Sequence, residues 1–204
     1  RMLRYSPPWG EKKLCPPRPE IGLRQAVRLT AMAAVAACRA AEKVSGAELR
    51  IKWVNDLWRD GRKVCGILTE AALDMESGML DYAVLGLGFN ITAPSDGWPA
   101  ELQDVAGALF DDAPPPGARA ALAAAFLNEF WALYHGVPKP EYLPEYRARQ
   151  ALLGQTVTVT PRNGTPRKAE ALDIDEDCRL VVRFAGEHNL VPLRGEEVHL
   201  GKYL

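Results

Sequence analysis

The chain has 204 residues, 48% hydrophobic and 25% charged, an ordinary balance for a folded globular protein that argues against intrinsic disorder. Lys+Arg 25 against Asp+Glu 26 gives a formal net charge of -1, so no basic excess points to sequence-independent nucleic-acid binding. The apolar runs are too short for a bilayer, no secretory leader is expected, and Cys15, Cys38, Cys65 and Cys178 are too scattered for a zinc site. A cytoplasmic protein with reduced thiols is expected.

Residues 1–20 are rich in Pro and basic residues and read as loop. Residues 23–44 contain no Pro or Gly, and Leu23, Ala26, Val27, Ala33 and Ala37 recur at helical spacing. They predict a helix whose small side chains let it lie close against a sheet. Ser45-Gly46 ends it. Residues 49–54 alternate apolar and basic, the period of a half-buried strand. Residues 55–61 read as turn, 63–73 as a second strand and 80–91 as a third, with Ser77-Gly78 as the hairpin connection. Gly86 and Gly88 mark a bulge or the close approach of a backbone or ligand.

Residues 93–116 read as loop with one short helix at 102–109. Residues 117–135 predict an amphipathic helix with Leu122, Phe126 and Phe130 on one face and Gly136 as its stop. A shorter helix over 138–150 carries Tyr142 and Tyr146. After Leu152 the texture changes to short strands separated by turns, five in about fifty residues, which suits a small all-β barrel. The elements predict an α+β fold in two domains, 1–150 and 151–204. The first has a mixed or antiparallel sheet backed by helices. The predicted core includes Val27, Val35, Ile51, Trp53, Ile67, Leu68, Val84, Leu85, Phe126, Phe130, Val157, Val159, Val181 and Val182.

Three stretches carry candidate chemistry: KWVNDL (residues 52–57), GRKVCGILTE (61–70) and GLGFNI (86–91). Lys63 near Gly66 suits an anion site, where an ammonium supplies charge and open backbone supplies N–H donors. On these residues alone a solvated edge-strand lysine is the better reading. Lys52 fits the wet face of a strand, and Asn55-Asp56 fits plain turn chemistry. Gly86 and Gly88 lack the rest of a dinucleotide fingerprint, and Asn90 fits a strand-end cap.

Taken in order, KWVNDL, KVCGILTE and GLGFN resemble the biotin–protein ligase (biotin–[acetyl-CoA-carboxylase] ligase) family. That family carries K-W-P-N-D-[IL], then K-x-x-G-I-L-x-E, then a strand ending G-x-G-x-N. Val54 stands where Pro is usual, which frees one backbone N–H and relaxes one φ angle. The tail resembles the family's SH3-like C-terminal domain, so the likeness runs over residues 18–204.

The resemblance implies an ATP-dependent ligase. Biotin's carboxylate attacks the α-phosphate to give biotinyl-5′-AMP, and a carrier lysine then takes the acyl group. By the same resemblance, Lys63 touches both biotin's carboxylate and the α-phosphate. Gly66 and Ile67 line the biotin slot with backbone, and Gly86 lets biotin pack against bare backbone. Lys52, Asn55, Asp56 and Asn90 lie near the nucleotide and Mg²⁺. Arg1 and Arg4 match the last two arginines of a glycine-rich loop, Arg1 toward biotin and Arg4 toward the nucleotide, with Leu3 where the loop wants Gly. ATP and Mg²⁺ are the implied co-substrates, with no protein-held metal. The implied partner is the biotin carrier domain of acetyl-CoA carboxylase or another carboxylase, without membrane or nucleic acid, and a homodimer stays open. The family's upstream Ser-Thr-Asn and Gln biotin contacts and its helix-turn-helix have no counterpart in the sequence. An N-terminally truncated or degenerate copy that binds the carrier without turning over is therefore the alternative reading, and a lipoate or octanoate transferase the second.

Overall fold

The structure is a computed structural model that describes residues 26–73, 80–135, 141–161, 164–195 and 198–200. Helix α1 (Ala26–Ser45) has no breaker in its sequence, and every residue from Ala31 to Cys38 is buried. A helix buried on all sides belongs at the centre of a domain. Its small side chains let it pack at once against a sheet and two further helices. Thr30 Oγ1 meets Thr69 Oγ1 at 2.7 Å, which fixes the helix against the sheet.

That sheet has four antiparallel strands in the order β1 (Arg50–Lys52), β2 (Asp56–Arg59), β3 (Arg62–Leu73) and β4 (Leu80–Phe89). The antiparallel form of the expectation is the one found. Residues 55–61 are not all turn, because β2 lies inside them. The turn shrinks to Asp60-Gly61, where φ is 51° and 76°, the left-handed pair that a tight hairpin needs. Strand β1 is correspondingly shorter than the predicted 49–54, since Trp53, Val54 and Asn55 form a turn.

Pairing of β3 with β4 sets Gly66 opposite Gly88, Leu68 opposite Gly86 and Glu70 opposite Val84. Alternation along the strands sends Ile67 toward α1 and leaves Gly66, Leu68, Val84, Gly86 and Gly88 on the other face. Leu68 and Val84 were expected in the core. They are 60% and 54% exposed, because no described element covers that face.

The expected helix at 102–109 is a single 3-10 turn, Ala100–Leu102. Beyond it the chain runs beside β3, with a parallel bridge from Lys63 to Ala106. Helix α2 (Ala118–His135) is apolar on more than one side rather than amphipathic. Leu122 and Leu133 are buried and Phe126 and Phe130 half-buried, while Leu127 and Trp131 are exposed. Helix α3 (Tyr142–Ala148) buries Tyr142, Leu143 and Tyr146. Charges tie the helices together: Arg39 reaches Glu145 at 2.5 Å and Glu129 at 3.3 Å, Lys43 meets Glu129, and Arg149 reaches Glu42 at 2.6 Å and Glu145 at 2.8 Å.

The last part forms a second antiparallel sheet from β5 (Thr156–Pro161), β6 (Arg167–Ile174), β7 (Leu180–Phe184), β8 (Leu190–Leu193) and β9 (Val198–Leu200), in the order β8-β7-β6-β5-β9. Its inward positions are apolar: Val157, Val159, Ala169, Ala171, Ile174, Leu180 and Val182 are all buried. The turn between β6 and β7 is shaped by Asp175, whose Oδ1 accepts the backbone N–H groups of Asp177 at 3.0 Å and Arg179 at 2.9 Å. Several contacts fasten this sheet to the preceding elements, two of them hydrogen bonds to its backbone carbonyls. Arg147 Nε donates to Ile174 O at 2.5 Å, and Trp53 Nε1 donates to Cys178 O at 2.9 Å. Of the other expected core residues, Val35, Ile51, Trp53 and Ile67 are buried, and Val27, Leu85 and Val181 are half-buried. The expected hairpin at Ser77-Gly78, the stop at Gly136 and Cys15 lie outside the described residues.

Candidate functional site

Lys63 sits at the start of β3, and its backbone is gripped from both sides. Its N–H donates to Val105 O at 2.7 Å, and its carbonyl accepts the N–H of Gly107 at 2.8 Å and Nδ2 of Asn90 at 3.3 Å. Gly107 must be bare for the loop to come so near: a Cβ there would stand 3.0 Å from Arg62 Cβ and 3.2 Å from Val64 Cγ1. The side chain crosses the open face. Its Nζ lies 2.6 Å from Asp56 Oδ1, and both Cε and Nζ come within 3.2 Å of where a Cβ on Gly66 would be. The lysine side chain is 46% exposed, so the ion pair adds little stability and acts mainly to fix where the ammonium sits.

Asp56 is placed by the β1–β2 turn, and that turn is held by Asn55. Asn55 Nδ2 donates to Ile67 O at 2.6 Å, and its carbonyl accepts the N–H of Ile67 at 2.9 Å. The peptide bond between Trp53 and Val54, at the position where the resemblance expects proline, is cis. Lys52 pairs with Asp56 across the strands, and its Nζ lies 4.7 Å above the ring of Trp58.

Two clefts meet at Lys63, Asp56, Gly66 and Gly88. One, of about 480 Å³, is floored by Gly66, Gly86 and Gly88, with Asn55, Asp56, Lys63 and Leu68 around it. A Cβ on Gly88 would meet nothing within 4 Å, and one on Gly86 only Leu68 O at 3.8 Å, so the floor is flat and open. The other, of about 400 Å³, is lined by Lys52, Asp56, Trp58, Lys63, Asn90 and Trp98 among others. It combines cationic side chains with two indole rings, a lining suited to an anionic aromatic ligand.

The structure therefore brings Lys63, Gly66, Ile67 and Gly86 to one cleft, and Lys52, Asp56, Lys63 and Asn90 to the other. Asn55 lines the glycine cleft, and its amide Nδ2 donates to Ile67 O. Ile67 turns its side chain into the core and contributes only backbone. Asn90 Nδ2 binds Gly107 O at 3.0 Å as well as Lys63 O, so it knits strand and loop together more than it caps a strand end. Arg1 and Arg4 lie outside the described residues. Trp98, Leu102, Val105 and Ala106 were missed. They sit in a stretch without periodicity, and a lone Trp between Gly97 and Pro99 was the single signal on offer.

Among the described residues no thiol is poised to react. Burial pushes Cys38 and Cys65 up to about 12 and Cys178 to about 11, so all three stay protonated and inert at neutral pH. Among the described residues no group of three or more His, Cys, Asp or Glu side chains is placed to hold a metal, and no helix is long and apolar enough to cross a membrane.

A sequence profile for the biotin/lipoate A/B protein ligase family matches residues 11–90. The bifunctional ligase/repressor BirA of Bacillus spizizenii is 33% identical over 189 residues, covering 90% of this chain and 56% of that protein. A biotin–[acetyl-CoA-carboxylase] ligase of Mycobacterium tuberculosis is 32% identical over 159 residues, covering 77% of this chain and 55% of that protein. The chain thus spans about half the length of the curated relatives it matches. In fold it is similar to the biotin protein ligase of Aquifex aeolicus solved in complex with biotin and ATP, with TM-score 0.67 and 16% identity over 86% of this chain and 72% of that one.

Proposed function

The chain belongs to the biotin/lipoate A/B protein ligase family, and from that premise we propose that it activates biotin with ATP and passes it to a carrier lysine. One observation carries the reading: the Lys63 ammonium stands where two clefts join, beside the bare backbone of Gly66. The glycine floor suits a flat, mostly apolar ring system, and the Trp-lined cleft suits a nucleotide. A cation between them sits where a carboxylate must meet a phosphate.

In the first step a carboxylate oxygen of biotin attacks the α-phosphorus, the bond to the β-phosphate bridge breaks, and pyrophosphate leaves. Two anions must approach each other, so the step needs fixed positive charge at the meeting point. Lys63 supplies it, and its three N–H donors let it keep Asp56 while reaching both reactants. In the second step the ε-amine of the acceptor lysine attacks the acyl carbon, AMP leaves with the bonding pair, and the amine gives up a proton. Lys52 adds charge on the nucleotide side, and Asn90 keeps the loop at 105–107 in place. Arg1 and Arg4 are further cations of the same reading. Among the described residues Asp56 is the one carboxylate lining either cleft. That suits a magnesium ion arriving on the triphosphate, since such ions use one or two carboxylates besides the phosphates. When bound, Mg²⁺ offsets phosphate charge. The partner in this reading is the biotin carrier domain of a carboxylase, acetyl-CoA carboxylase first. The second sheet, residues 151–204, is in this reading a small SH3-like domain that completes the enzyme, which works in the cytoplasm, with a homodimer open.

The test is to incubate the full chain with ATP, Mg²⁺, biotin and a carrier domain and follow carrier labelling by mass. Labelling that needs both ATP and biotin, and that falls with Lys63→Ala, is the expected result. Carrier binding with no labelling and no response to biotin or ATP would favour the non-catalytic remnant.

A further inference from the structure

The turn of residues 53–55 is held from a side that the reaction never touches. Tyr146, fully buried on α3, donates its hydroxyl to Val54 O at 2.9 Å. Trp53, in the same turn, donates its indole N–H to Cys178 O in the turn between β6 and β7. On the opposite side Asn55 is bonded to Ile67, and the next residue, Asp56, is ion-paired to Lys63. Gly195, between β8 and β9, would place a Cβ 3.3 Å from Val54 Cγ1, so the second sheet closes directly on this turn.

From this arrangement we infer that Tyr146 is a positioning residue: acting through the Val54 carbonyl, with the β6–β7 turn as its companion on Trp53, it sets where Asp56 holds the Lys63 ammonium. The inference rests on the proposed function for its meaning, though not for its test. A hydroxyl donated to a backbone carbonyl fixes a turn by direction as well as distance. The other buried tyrosine of α3 does not reach the turn of residues 53–55 directly. Tyr142 directs its hydroxyl to Cys178 Sγ at 4.0 Å and has no hydrogen bond to the turn. The two tyrosines share a helix, a depth and a chemistry, and differ in whether they reach Val54.

That difference defines the experiment. Tyr146→Phe and Tyr142→Phe each remove one buried hydroxyl and keep the ring. The first readout is the rate at which a water-soluble acylating reagent modifies Lys63, followed by peptide mass in the full chain. Tyr146→Phe is expected to raise that rate several-fold, because the ammonium loses its fixed partner, while Tyr142→Phe leaves it at the parent value. The second readout is the KM for ATP in carrier labelling, expected to rise about 3- to 10-fold in Tyr146→Phe with kcat changed far less, the size of one lost hydrogen bond. Equal Lys63 reactivity in parent and both variants would overturn the inference. If the parent labels no carrier, the proposed function fails, and the reactivity of Lys63 still decides this point. If Tyr146→Phe fails to fold, Val54→Gly, which keeps the carbonyl but removes the side chain that packs near Gly195, is measured in its place. Lys63 reactivity unchanged in it supports a grip made through the carbonyl, and an increase overturns that.

Discussion

The two sheets are built by one rule and used in opposite ways. Both are antiparallel, and both alternate their side chains. The second sheet buries its inward face with Val157, Val159, Ile174, Leu180 and Val182, each with 0% exposure. The first buries only the face against α1. Its other face carries Gly66, Gly86 and Gly88 beside exposed Leu68 and Val84. A face full of side chains contributes stability. A face stripped to backbone contributes almost none and leaves room for something to lie on it. The molecule separates the two duties, and damage to one sheet should spare the duty of the other.

The largest expected effect tests the stable half. Ile174→Ala opens a cavity in a fully buried position and should cost about 2–5 kcal/mol, read as a shift of the urea unfolding midpoint. A loss under about 0.5 kcal/mol would mean that this sheet is not a packed core. Next is the open half. Lys63→Ala should lower carrier labelling about 100-fold, the range seen when one group aimed at a developing charge is removed, with the unfolding midpoint unmoved. A midpoint that falls along with activity would erase the contrast between the sheets.

Gly66→Ala sharpens it further. The added methyl would stand 3.2 Å from Lys63 Cε and Nζ, and the flexible lysine gives way first. Biotin binding measured by calorimetry should weaken about tenfold without loss of fold, since about 1.4 kcal/mol is what a displaced charge–carboxylate bond is worth. Smaller again is an acid effect confined to the helices. The bonds of Glu129 to Lys43 and Arg39 outweigh its burial and lower its pKa. Burial of Glu145 acts the other way, but its bonds to Arg39 and Arg149 prevail and lower its pKa too. A lowered carboxyl pKa stabilises the fold above the unfolded value of about 4.3 and stops doing so as the pH falls through the folded value. The thermal midpoint should therefore drop more steeply below about pH 4 in the parent chain than in Glu129→Gln/Glu145→Gln. Parallel curves would exclude the network from acid sensitivity. The smallest effect is at Leu68, where Leu68→Ser on the exposed face should change stability by less than about 0.5 kcal/mol.

Much of this contrast was legible in the sequence, and the parts that were not share a cause. Strands β3 and β4 announced themselves through length and β-forming residues, while the glycines at 86 and 88 mark bare backbone, with no bulge and no close approach of a described residue there. Lys63 and Asp56 could each be singled out, but their ion pair could not, because their meeting depends on how β2 registers against β3. Strand β2 itself was hidden. DLWR is four residues long between turn formers on both sides, and it is a strand only because β1 and β3 pair with it. Leu68 and Val84 misled for the opposite reason. Their hydrophobicity is real, but periodicity says which residues share a face and not which face is covered. Helix α2 shows the same limit, since Leu122, Phe126 and Phe130 mark one side and say nothing of Leu127 and Trp131 on another. Trp98 and the Tyr146–Val54 bond are wholly tertiary, and no local pattern encodes them.

The most direct test of the account is a crystal structure of the full chain with biotin and a non-hydrolysable ATP analogue. The account predicts biotin's carboxylate within about 3 Å of Lys63 Nζ, its rings over Gly66 and Gly86, and the nucleotide base beside Trp98. Biotin bound elsewhere, with Lys63 still turned only to Asp56, would contradict it.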